Sequence, residues 1–131
     1  MKRAISIILV AVGLMNLYPV IGVFSADALT NLYGVTILDN DLLVLLRHRA
    51  IMLGIIGMLM VIAAFRPSLQ SAAIIAGLTS MIAFVGLTLG AGDSGESVNK
   101  VMLADVLGSL ALFVVIFLRW ISSSTSKQEK L

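Results

Sequence analysis

Residues 41–65 read DLLVLLRHRAIMLGIIGMLMVIAAF. The stretch is mostly apolar, with Asp41, Arg47 and Arg49 its only charged residues. About 20 consecutive apolar residues suffice for a helix to cross the hydrocarbon core of a bilayer. The segment is therefore a membrane span, and three others in the chain meet the same criterion: Ala4 to about Phe24, about Ser68 to Gly90, and about Val98 to Ile121. The fold class expected is all-α, an integral membrane four-helix bundle. Residues 1–121 form its membrane domain, with spans at about 4–24, 41–65, 68–90 and 98–121.

Composition agrees. Of 131 residues 60% are hydrophobic and 12% charged, with a mean hydropathy of +1.09. A soluble domain carries about a quarter charged residues, so this chain lacks the charge to cover a globular surface. The absence of cysteine excludes a disulfide scaffold, thiol redox chemistry and iron–sulfur clusters. A single histidine excludes a multi-histidine metal or haem site within the chain. The net charge of +2 is spread along the sequence, which argues against nucleic acid as a partner. No cofactor is expected.

The connections differ in character. Residues 25–40 are long and polar enough to leave the bilayer. Within them Ser25 suits an N-cap, Asp27 the positive end of a helix dipole and Gly34 a helix stop. Ala28, Leu29, Leu32 and Tyr33 recur at helical spacing, which predicts a short amphipathic helix at the membrane surface. Asp39-Asn40-Asp41 caps the second span. Arg66-Pro67-Ser68 is a tight turn, since proline disfavours helix before it and suits the first turn after it. Residues 90–97 are rich in glycine and acid, the mark of a solvent loop.

Lys2, Arg3, Arg66, Arg119, Lys127 and Lys130 fall on one side of such a bundle, and Asp27, Asp39, Asp41, Asp93 and Glu96 on the other. The positive-inside rule then puts both termini in the cytoplasm, with the acidic connections outside. Lys2-Arg3 before an apolar run also suits a cleaved signal peptide. That run exceeds the 7–15 residues of a signal core, and Asn16 and Pro19 inside it suit a bundle helix, so a retained span is expected. Residues 122–131, serine-rich and polar, are expected to be a disordered cytoplasmic tail.

Ionisable residues inside spans are costly and mark candidate sites. Asp105 stands about four turns from Arg119, roughly 21 Å at about 1.5 Å per residue. Counting the same depth along the other spans reaches Met52, with Arg49 one turn further out, then Leu17 between Asn16 and Tyr18, and Phe84 below Thr88. The outer half thus collects Asn16, Tyr18, Arg47, His48, Arg49, Thr88 and Asp105, around a cavity floored by apolar packing. Arg47 and Arg49 diverge by about 200° on a helix, so one faces the interior. Arg49, the deeper, is expected inside and paired with Asp105, with Arg47 snorkelling to the outer head groups. The alternative is that both arginines are interfacial anchors and Asp105 only fixes helix register.

Four small-xxx-small pairs, Ala50/Gly54, Ala73/Gly77, Gly86/Gly90 and Ala104/Gly108, support a compact bundle. Met52, Met58, Met60, Met81 and Met102 fit core gaps or lipid contacts, not a metal relay. The chain has no P-loop, no dinucleotide-binding glycine fingerprint, no His-Glu-x-x-His and no nucleophile elbow. Catalytic and metal-ligating residues are therefore not assigned, and an enzyme is not expected.

The segment Leu45-Leu46-Arg47-His48-Arg49-Ala50-Ile51-Met52-Leu53-Gly54, followed by Ala64-Phe65-Arg66-Pro67, resembles a group of small bacterial four-span membrane proteins. They begin Met-Lys-Arg, carry a short helix after the first span, and open the second with Arg-His-Arg-Ala. The likeness runs to Arg119. Some members bear the label phosphopantetheine adenylyltransferase. The His-x-Gly-His of such nucleotidyltransferases is absent, because the only histidine, His48, is followed by Arg49-Ala50. At fold level the plan is similar to the DoxX-like superfamily, which implies a partner role beside redox enzymes, though no redox residue stands in this sequence. Small multidrug exporters match in size but rely on a glutamate in the first span, where this chain has only Asn16.

The function expected is a non-catalytic inner-membrane protein, an accessory or structural subunit acting as a homo-oligomer or within a membrane complex. The alternative is binding or transport of a small anionic or amphiphilic ligand through the outward-facing pocket around Arg49, His48 and Asp105.

Overall fold

The computed structural model describes residues 1–128. It is an all-α bundle in which four helices are long and apolar enough to cross a membrane: Lys2–Phe24, Asn40–Phe65, Pro67–Ala91 and Glu96–Ser124. The first is α1 (Lys2–Leu17), a 3-10 turn over Tyr18–Val20, then α2 (Ile21–Phe24). Pro19 sits in that 3-10 turn, at a point where the missing N–H is least disruptive. The short helix α3 (Ala26–Tyr33) follows, then α4 (Asn40–Phe65), α5 (Gln70–Ala91) and α6 (Glu96–Gln128).

The local signals act as the chemistry dictates. Ser25 Oγ accepts from the Ala28 amide at 3.2 Å, and Gly34 ends α3 at φ 66°, a left-handed conformation that glycine adopts without strain. The Asp39 carboxylate accepts from the Asp41 amide at 3.0 Å to open α4. Arg66 is extended before Pro67, which breaks α4 from α5.

Neighbouring pairs α1–α4, α4–α5, α5–α6 and α6–α1 close a ring that leaves α1 diagonal to α5. Its buried core is built from Ile5, Leu9 and Val12 of α1, Met60 and Ala63 of α4, Ala73, Ile74 and Met81 of α5, and Leu112 and Val115 of α6. Most of these lie in the half nearer the basic ends. Around the ring, Ile7, Leu14, Ile55, Ile75, Leu107 and Phe113 face outward and exposed. A continuous apolar exterior of this kind suits lipid and would aggregate in water.

The tightest approach joins α1 to α4. A Cβ on Gly57 would lie 2.6 Å from the Gly13 carbonyl oxygen, and one on Gly13 would lie 2.8 Å from that of Gly57. Neither glycine belongs to the small-xxx-small pairs read from the sequence. Of those pairs, Gly77 meets Met60 and Leu112, Gly54 meets Val20, and Gly108 meets Met15 and Met81, whereas Gly86 and Gly90 have nothing within 4 Å. Met60 and Met81 are fully buried gap-fillers; Met52 and Met58 face outward.

Two details depart from expectation. The short helix does follow the first span, but its apolar face turns into the bundle. Leu29 and Tyr33 are buried, and α3 packs on α2 and α6. Gly22 leaves the hollow that Leu29 fills, so α3 caps the end of the bundle opposite the termini. Second, α6 continues through Gln128, past the expected end of the fourth span at Ile121, so residues 122–128 of the expected disordered tail are helical. Hydroxyls of Ser123 and Ser124 donate to the Trp120 carbonyl one turn back at 2.8 and 3.2 Å. Residues 129–131 of that tail lie outside the described residues.

Candidate functional site

The half of the bundle at the acidic connections, termed here the outer half, holds a cavity of about 360 Å³. Asn16, Tyr18 and Pro19 from the end of the first span form one wall, Leu32 and Tyr33 of α3 the lid, Arg49 and Leu53 of α4 a second wall, and Asp105 of α6 a third. A neighbouring cleft of about 580 Å³ shares Tyr18, Pro19, Leu32, Val101 and Ala104 with it and extends to Asn31, Ser97 and Lys100. The cavity thus continues toward the polar outer edge.

Arg49 is the centre of the site. Its guanidinium lies over the Phe84 ring at 4.1 Å and over the Tyr33 ring at 4.9 Å from their centroids. Each such contact returns about 0.5–2 kcal/mol, more where water is excluded. The N–H donors of a guanidinium lie in its plane, so they stay available at its edge. Among the described residues no carboxylate reaches Arg49: the ion pair found there is Lys100–Glu96, at 2.7 Å, on the exposed first turn of α6. The expected Arg49–Asp105 pair is therefore not formed, although both groups line one cavity. Equal depth on two helices sets height and leaves lateral separation open. Here the rings of Tyr33 and Phe84 hold the cation.

Tyr33 contributes a second polar group. It is 4% exposed, and its hydroxyl is buried without a hydrogen-bond partner. Burial pushes its phenol above the usual value, with Asp105 adding to the rise and the Arg49 guanidinium pulling against it. The phenol stays protonated at neutral pH and offers a donor.

The other residues expected in this cluster separate. Asn16 is buried and lines the cavity, but its amide donates to the Val12 carbonyl of its own helix at 2.9 Å. Tyr18 is 63% exposed, at the edge shared by cavity and cleft. Thr88 is buried outside the lining, its hydroxyl satisfied by the Phe84 carbonyl at 2.9 Å. His48 is exposed, and Arg47 is half-buried on the far side of α4 with its Nε enclosed and unpartnered. Neither lines the cavity. The roles of Tyr33 and Phe84 were missed from sequence. Phe84 stood at the counted depth, and an aromatic residue level with a buried arginine was the available signal.

Among the described residues no three histidine, cysteine, aspartate or glutamate side chains come together as a metal site. The arrangement places one cation, one carboxylate and one buried phenol around a mostly apolar volume. No protein-family model, curated protein or solved structure matches this chain.

Proposed function

We propose that the chain is a non-catalytic, multi-pass protein of a bacterial inner membrane that binds a small amphiphilic molecule in the cavity around Arg49. One observation carries this reading: the Arg49 cation sits in an open, apolar-walled space between two aromatic rings, without a carboxylate at ion-pair distance. An unpaired charge withdrawn from water costs several kcal/mol. Two ring contacts return about 2 kcal/mol or somewhat more. An acceptor on a bound molecule offsets the remainder. A bundle that needed Arg49 and Asp105 only for its own stability gains most by closing them together.

The ligand class follows from the lining. An anionic or strongly accepting head meets Arg49 and the Tyr33 hydroxyl, while an apolar body lies along Leu53, Leu32 and Pro19. Lipid head groups and quinone-like molecules share this chemistry. His48, exposed and outside the cavity, has no part in it. An accessory role within a membrane complex is compatible with binding such a molecule.

The test is extraction. Protein purified from its own membrane and extracted with organic solvent is expected to yield one enriched amphiphile on mass spectrometry. Arg49→Ala should lose it by about tenfold or more while circular dichroism still reads a helical protein. Identical extracts from both would overturn the reading.

Lys2, Arg3, Arg66 and Arg119 at one end support cytoplasmic termini and an outward-facing cavity. The chain lacks cysteine, so single replacements report cleanly. A membrane-impermeant maleimide should label Asp93→Cys on intact cells and Arg66→Cys only after permeabilisation. The reverse pattern contradicts this orientation.

A further inference from the structure

A second pair of hollows lies at the opposite, basic end of the bundle, away from the site at Arg49. One, of about 610 Å³, is lined by Lys2 and Ser6 of α1, Gln70 of α5, and Arg119, Ser122 and Ser123 of α6. The other, about 410 Å³, is an apolar groove on the outside of α5 and α6 formed by Ile74, Ile75, Ile116 and Trp120. Arg119 and Ser123 line both. Arg119 Nη2 donates to Ser71 Oγ at 3.1 Å, which holds the guanidinium at the junction between the two.

The electrostatics of this end are one-sided. Lys2, Arg3, Arg66 and Arg119 gather there. Among the described residues it carries no carboxylate: Asp27, Asp39, Asp41, Asp93 and Glu96 sit at the other end, and Asp105 lines the outer cavity. Ion pairing within the described bundle therefore leaves Lys2 and Arg119 unneutralised. Trp120 is 66% exposed beside the groove, in the position that suits an indole at the lipid headgroup level.

We infer that this end of the bundle is a binding site for an anionic glycerophospholipid. The phosphate meets Arg119 and Lys2 beside Ser122, and one acyl chain lies along Ile74, Ile75 and Ile116 beside Trp120. A polar, cationic hollow joined at one arginine to an apolar groove matches the two-part chemistry of such a lipid. A free phosphate uses only the first part, and a neutral zwitterionic lipid gains little from two unneutralised cations. The inference does not depend on the outer cavity having a ligand.

Native mass spectrometry of the full chain in a neutral detergent tests it, with dioleoyl phosphatidylglycerol, dioleoyl phosphatidylcholine and soluble glycerol phosphate as probes. The expected result is retention of phosphatidylglycerol over phosphatidylcholine by at least about fivefold, with that preference cut by about fivefold in Arg119→Gln. Lys2→Gln, at an exposed side chain, should lower it in the same direction and keeps the test decisive if Arg119→Gln does not fold. Glycerol phosphate at equal concentration should not displace the lipid. Equal retention of the two lipids by the wild type, an undiminished preference in the folded variants, or displacement by glycerol phosphate would each overturn the inference.

Discussion

Exchanging the two charges of the outer cavity, Arg49→Asp together with Asp105→Arg, is expected to destabilise the bundle by about 3–5 kcal/mol. If these residues formed a conventional ion pair, the exchange would restore it and stability would largely return. The structure has a different arrangement: Arg49 lies over Phe84 and Tyr33, and Asp105 stands across the cavity. The negative face of an aromatic ring attracts a cation and repels a carboxylate. The exchanged chain therefore loses two favourable contacts and sets an anion against the same rings. Reversible unfolding in mixed detergent micelles reads the difference. A double variant as stable as the wild type would mean that charge complementarity, and not the aromatic pair, holds Arg49.

The other large effect is expected at the α1–α4 seam. Gly57→Ala should cost about 1–3 kcal/mol, and a larger side chain there should prevent assembly. The atom in the way is the backbone carbonyl oxygen of Gly13, at 2.6 Å from an added Cβ, with Leu17 at 3.0 Å behind it. A flexible side chain can swing aside, but a backbone carbonyl moves only if the helices part. Parting them removes dispersion contacts along the seam, and lipid supplies no hydrophobic drive to restore them. Gly86→Ala is the control. Nothing lies within 4 Å of its added Cβ, so the alanine is expected to be neutral or to gain up to about 1 kcal/mol from helix propensity. Equal losses at both positions, measured by the same unfolding assay, would contradict the seam.

The contrast between these glycines shows where sequence reasoning succeeds and where it stops. Span number, helix caps and the turn at Pro67 follow from length, side-chain hydrogen bonding and proline sterics, all of which act within a few residues. Depth was legible for a related reason: helical rise is fixed, so counting from Arg119 set Asp105 level with Asn16, Tyr18 and Phe84 and near Arg49. Azimuth needs the neighbour helix. Gly86/Gly90 has the spacing of a packing motif and meets nothing, while Gly13 and Gly57, far apart in sequence, meet at the closest point. The same limit explains Thr88, which bonds within its own helix, and the unformed pair of Arg49 and Asp105. Tyr33 was legible as part of an apolar helix face. Its place over Arg49 depends on α3 folding back onto α2 and α6, which no local signal encodes. In the last helix, serines that read as a disordered tail bond back to Trp120.

On the proposed reading the space beside Arg49 is a binding cavity and not a packing gap awaiting closure. A structure determined in discs of native lipid tests it most directly. Elongated density is expected in the cavity, its polar end at the Arg49 guanidinium and the Tyr33 hydroxyl, with Arg49 still over Phe84. An empty, narrowed cavity with the Arg49 guanidinium resting on the Asp105 carboxylate would contradict it.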